Sequence, residues 1–220
     1  MPGPHQQSEH RTDELRLGRH DGLAFISLAA LAGVLYLPRL LPGTGYSPDT
    51  MKYHYIGAVL GISHPPGSPL YVLADWVVAQ VPLGELAWRL NLFSALCAGV
   101  AAGLLYLVGR DLARSRLAGW VAAVGLLTTG VFWQQSVIAE VYTPHAALLI
   151  ASIWALVRWH RTGAPRDIGV AAATYGLSYG VHLMSSHLLP GWAVLTLFGP
   201  RSIVRRRRAA RLVAGGALLG

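Results

Sequence analysis

Between Asp49 and Tyr71 the chain reads DTMKYHYIGAVLGISHPPGSPLY. Asp49, Lys52, His54 and His64 stand there beside Tyr53, Tyr55 and Tyr71. A carboxylate at the rim of a cavity can take a proton from a hydroxyl nucleophile. Aspartate is also a good helix cap, and DTMK leads into a helical-looking stretch, so the two roles are compatible at Asp49. In HPPG, residues 64–67, two prolines and a glycine stop any helix and set a rigid turn. That turn breaks the loop before the next helix, or it also holds His64 over a cavity next to Asp49.

A second group follows in FWQQSVIAEVYTPHA. Glu140 stands there among Gln134, Gln135, Tyr142 and His145. On a continuous helix Gln135, Ala139 and Tyr142 share a face, with Glu140 near Ser136 and Pro144. Glu140 either binds a sugar or phosphate-linked group or caps the next helix. Phe132, Trp133 and Tyr142 read equally as an interfacial aromatic belt. A third group is YGLSYGVHLMSSHLLPGW, where His182 and His187 flank a turn and Gly176 and Gly180 allow close helix approach. Two histidines and a carboxylate can ligate a metal, but the spacing matches no metal motif, so neither metal nor cofactor is expected. The chain contains no Walker A loop, GxGxxG or HExxH.

The elements that must position these groups are membrane helices. Of 220 residues, 53% are hydrophobic and only 13% charged, and the mean hydropathy is +0.43. A soluble domain is about a quarter charged, so this chain cannot cover itself with polar surface. The net charge of +8 comes from arginine clusters between apolar segments. That is the pattern of cytoplasmic membrane loops, and no nucleic-acid partner is expected. Cys97, alone in the chain, forms no internal disulfide.

A spanning helix needs about twenty apolar residues. Such segments lie at about 22–41, 90–109, 117–134, 144–159, 168–182, 184–200 and 210–220. The segment 69–83 is short, carries Asp75 and has prolines at both ends. With 69–83 lying in the outer interface rather than spanning, the arginine clusters around 110–116, 158–166 and 201–211 all fall in the cytoplasm, with the N-terminus. Only Arg39, Lys52 and Arg89 then remain outside. The expectation is an all-α, multi-pass helical bundle of about seven spans in the plasma membrane. Residues 1–21 are expected to form a disordered, polar cytoplasmic tail, too long and too acidic for a signal peptide. Residues 22–220 form the N-terminal part of a transmembrane domain that stops within a span.

Four ordered stretches, SPDTMKYHYIGAVLGISHPPGSPLY, AWRLNLFSAL, FWQQSVIAEVYTPHA and YGLSYGVHL with its later LPG, resemble the protein O-mannosyltransferase-like membrane glycosyltransferases of the GT-C superfamily. The resemblance covers roughly residues 20–200. It implies a sugar, typically mannose, moved from a polyprenyl-phosphate carrier to a protein hydroxyl at the outer face of the bilayer. It puts the catalytic acid at Asp49 and the proline turn at His64, Pro65, Pro66 and Gly67. Gln135, Glu140, Tyr142 and His145 become second-loop binding residues, and His182 the late histidine. One departure stands out: many members carry a glutamate three residues after the aspartate, where this chain has Lys52. A lysine there can bind the carrier phosphate and favour the ionised form of Asp49. Two rival classes are a transporter or flippase for a lipid-linked substrate and a non-catalytic membrane scaffold. A transporter places its charges at the midplane, whereas these cluster at the outer ends of spans.

Overall fold

The computed structural model describes residues 17–40, 48–63, 65, 67–198 and 215. Among them the chain is helical throughout, with no strand. Helix α1 (Arg19–Tyr36) runs into a 3₁₀ turn, Leu37–Arg39. Two short helices follow, α2 (Pro48–Ile56) and α3 (Pro69–Ala79). Next come α4 (Leu86–Ala113), α5 (Arg116–Thr128), α6 (Gly130–Ser136), α7 (Tyr142–Thr162) and α8 (Pro165–Tyr179). A 3₁₀ turn, Leu183–Leu188, leads into α9 (Leu189–Phe198).

Helix α4 is the axis of the molecule. It packs against α1, α5 and α7 along its length and against α2 and α3 near its start. Small residues let the backbones approach. A Cβ on Gly103 would lie 2.4 Å from the Phe25 ring of α1, and one on Gly119 of α5 would lie 2.5 Å from the Tyr106 carbonyl oxygen.

The far end of α4 is stapled by charge. Arg110 Nη1 is 2.7 Å from Asp21 Oδ2, and Arg110 Nη2 is 2.5 Å from Asp111 Oδ1. Tyr106 donates to Asp21 and Trp154 Nε1 donates to Asp111, both at 3.1 Å, so α1, α4 and α7 meet at one buried network. From Arg110 back to Asn91, where α2 sits, is about 28 Å along the helix at about 1.5 Å per residue.

Two segments are long and apolar enough to cross a membrane: Arg19–Arg39 and Leu86–Ala113. A third counts if α5 and α6, bent by 67° at Thr129, form one broken span. The expected bundle of about seven spans is therefore matched in its helical class and in only part of its number. The segment 144–159 falls on α7, whose first turn carries Thr143, Pro144 and His145 and whose last turn carries His160 and Arg161. The segment 168–182 falls on α8, which starts early at Pro165 and stops at Tyr179. The segment 184–200 divides into the 3₁₀ turn and the ten-residue α9. The segment 210–220 and most of the tail, residues 1–16, lie outside the described residues. Helix α3, with 11 residues, reaches about 16 Å, too short for a hydrocarbon core of about 30 Å.

Candidate active site

Helix α2 opens on Pro48, a residue suited to the first helical position. Asp49 therefore lies one residue inside the helix, in its first turn, and not at the cap. A carboxylate there is favoured by the helix dipole. Lys52 Nζ stands 3.4 Å from Asp49 Oδ1, with side chains 42% and 46% exposed respectively. The pair sits at the surface, open to a reactant.

Thr50 points the other way. Its Oγ1 donates to Glu140 Oε1 at 3.0 Å, and both residues are buried. The Glu140 N–H donates to Ser94 Oγ at 3.4 Å, and Thr143 Oγ1 donates to the Ser94 carbonyl at 2.9 Å. One turn further along α2, His54 Nε2 meets Asn91 Oδ1 at 3.0 Å. So α2 is fastened to α4 directly by His54 and indirectly through the Glu140 turn. Residues 137–141 are not helical, so Gln135, Ala139 and Tyr142 share no helix face. Pro144 explains the break, because its ring excludes a helical carbonyl at position 140. Gln135 is half-buried on α6, and its Oε1 meets no donor among the described residues.

Tyr142, His145 and His182 form a second cluster. The His182 ring lies 5.6 Å from Tyr142 and 5.5 Å from His145. His145 Nε2 is 2.9 Å from Ser185 Oγ, and His182 Nδ1 accepts the Met184 N–H at 3.0 Å. His187 is exposed, and its ring nitrogen meets the Met184 carbonyl 3.0 Å away. Among the described residues no three His, Cys, Asp or Glu side chains converge as metal ligands would. The cluster is tied to the first loop by Leu70 N–H, which donates to the Gly180 carbonyl at 2.8 Å. A Cβ on Gly180 would lie 2.9 Å from Leu70 Cβ, so the close approach at this glycine is to α3.

Residues 49–204 match the family model described as Protein O-mannosyl-transferase TMEM260 N-terminal domain. The chain belongs to that family. The Protein O-mannosyl-transferase TMEM260 of Mus musculus is 34% identical over 167 residues, covering 75% of this chain and 23% of the mouse protein. The Protein O-mannosyl-transferase tmem260 of Dictyostelium discoideum is 22% identical over 139 residues, covering 60% of this chain and 16% of that protein. The chain thus spans less than a quarter of the length of either relative. No solved structure matches.

Every site residue expected from the sequence falls inside the segment that matches the TMEM260 N-terminal domain. Asp49 and Lys52 pair at the surface, Glu140 is joined to the same helix through Thr50, and Tyr142, His145 and His182 come together. Gly67 adopts φ +86°, a backbone region that favours glycine. His64 and Pro66 lie outside the described residues. The sequence reading missed Thr50, Ser94 and Asn91, which hold the site from behind. It also passed over Asp75. Asp75 is fully buried in α3, and burial pushes its carboxyl up to about 8. Between it and the site lie Tyr53 and Tyr71, whose rings meet edge-on at 4.8 Å. Burial, with Glu140, Asp49 and Asp75 nearby, pushes the Tyr53 phenol up to about 12, so it stays neutral. A lone charge in an otherwise uncharged helix was the signal available for Asp75.

Proposed function

We propose that the chain is the N-terminal part of a multi-pass membrane glycosyltransferase of the GT-C type. It would move a sugar, mannose being the first candidate, from a polyprenyl-phosphate donor to a hydroxyl of an acceptor protein. The observation that carries this reading is the pairing of an exposed Asp49–Lys52 couple with a buried Glu140 behind it. Asp49 acts as general base on the acceptor hydroxyl. The hydroxyl oxygen attacks the anomeric carbon as the bond to the carrier phosphate breaks, and the proton passes to Asp49. One in-line step inverts the anomeric centre. Lys52 neutralises charge on the departing phosphate. Glu140, reached through Thr50, holds the turn that aims Asp49. Tyr142, His145 and His182 bind sugar or headgroup, with Gln135 as a further substrate-binding residue.

The extracytoplasmic face of the plasma membrane is the expected place of reaction. The outward residues of the first loop suit a bilayer surface. Met51, Tyr55, Val59, Leu60, Ile62, Leu73, Trp76 and Val77 are all exposed. A lipid-linked donor arrives from that side.

The test uses the full-length protein in membranes, given radiolabelled polyprenyl-phosphate mannose, with label followed into protein. Transfer by wild type that is lost in Asp49→Asn at equal expression supports reaction and base together. Equal transfer by both removes Asp49 from the mechanism. Absence of transfer from every lipid-linked sugar offered sinks the transferase reading.

A further inference from the structure

Asp75 is the ionisable residue that the transfer reaction leaves unused. Its side chain is fully buried, and neither carboxyl oxygen meets a hydrogen-bond donor among the described residues. Tyr71, one turn earlier on the same face of α3, is buried with its hydroxyl equally unpartnered. Leaving a buried polar group unpaired costs about 1–3 kcal/mol, and an unpaired buried charge costs far more. Helix α3 is also turned inside out. Leu73, Trp76 and Val77 face outward, while its one charged residue faces the protein.

The seat of Asp75 is tight. A Cβ on Gly57, just past α2, would lie 2.3 Å from Asp75 Cβ and 2.9 Å from the Trp76 nitrogen. The chain leaving α2 therefore rests directly on the turn of α3 that carries Asp75. The titratable groups around it are Tyr71 on its own helix, Tyr53 on α2 and Cys97 on α4, with Glu140 beyond the tyrosines. None is a cation, and burial alone acts on the carboxyl.

We propose that Asp75 is a positioning residue that works in its neutral form, seating α3 on Gly57 and so holding the Asp49–Lys52 turn against Glu140. This rests on the reading of that turn as the transfer site. An ionised Asp75 would be an unpaired charge in an apolar seat, so losing the proton lifts α3 from α2. The seated carboxyl is pushed up to about 8, against about 3.9 for a free one. The seated form therefore holds its proton more tightly than the lifted form. Seating is strongest below the free value. It weakens about tenfold per pH unit as pH rises and levels off above about 8, where both forms are ionised.

Cys97, the one cysteine of this chain, is part-buried on α4 and within electrostatic range of Asp75, so it reports the seat. The full-length protein in membranes is treated with a water-soluble maleimide across the neutral and mildly alkaline range. Labelling of the Cys97 peptide is quantified by mass spectrometry. Wild type is divided by Asp75→Asn at each pH, which removes the thiol's own ionisation apart from the field of Asp75, and that field lowers the wild-type thiolate fraction and so works against the expected rise. The ratio is expected to climb about tenfold per pH unit up to about pH 8. Transfer by wild type should decline over the same range, and that decline should be absent in Asp75→Asn. Gly57→Ala, which pushes α3 off mechanically, should label fast with no pH step. A ratio that stays flat with pH overturns the proposal. Labelling needs no sugar, so a climbing ratio without transfer from any donor sinks the transferase reading and keeps the seat. A flat ratio with transfer intact does the reverse.

Discussion

Thr50 Oγ1 lies 3.0 Å from Glu140 Oε1 across 90 residues of sequence. The bond stands directly behind Asp49 and joins α2 to the turn before α7. A hydrogen bond to a charged group contributes about 1.5–3 kcal/mol. Thr50→Val should lower stability by that amount and reduce sugar transfer, while Thr50→Ser restores both. Thermal unfolding in detergent, paired with the transfer assay, checks it. Unchanged behaviour in Thr50→Val would remove this bond from the account.

The Asp49–Lys52 pair should behave in the opposite sense. Exposed ion pairs contribute only about 0–1 kcal/mol, so Asp49→Asn and Lys52→Gln should unfold close to wild type. Loss of the base should nevertheless slow transfer about 10²–10⁴-fold. Lys52→Gln should raise KM for the lipid-phosphate donor more than it lowers kcat. Steady-state kinetics over donor concentration separates the two, and an unaltered donor KM would take Lys52 off the phosphate.

Gly67 sits at φ +86° with open space where a Cβ would go. Gly67→Ala thus meets no clash and suffers only the backbone penalty, about 1–2 kcal/mol for a left-handed residue. A small, uniform loss of stability is expected by thermal unfolding. A loss several times larger would mean that the turn is packed against something more.

Arg110 holds Asp21 and Asp111 together. Arg110→Met leaves two buried carboxylates without their cation and should destabilise by about 3–5 kcal/mol. The double variant Arg110→Met with Asp21→Asn should recover part of that loss. If the single variant unfolds like wild type, the staple contributes nothing and α1 is held by its glycine contacts with α4.

The helical class was legible in the sequence because it rests on local signals. Apolar runs mark α1 and α4. Pairings between distant segments were not legible. Nothing in DTMK says that Thr50 faces inward, since helix phase depends on where Pro48 starts α2. The helix face that would have joined Gln135, Ala139 and Tyr142 does not form, because residues 137–141 leave the helix before Pro144, and Glu140 sits in the turn between two helices. Counting apolar runs gives more segments than there are described helices long and apolar enough to cross a membrane. Pro165 starts α8 and Gly180 stops it short, and a hydropathy window smooths over both. Asp75 read as a reason to doubt a span, because burial without a partner is a property of the packed structure alone.

The wide sequence gap between Thr50 and Glu140 bears on how the protein is made. A chain emerging from the ribosome delivers Asp49 and Lys52 early, while the hydroxyl of Thr50 has no carboxylate to meet. Glu140 arrives only after α4, α5 and α6 have been synthesised. The Asp49 turn is thus completed late in biosynthesis, and a chain stalled before residue 140 would display the acid without the brace that aims it.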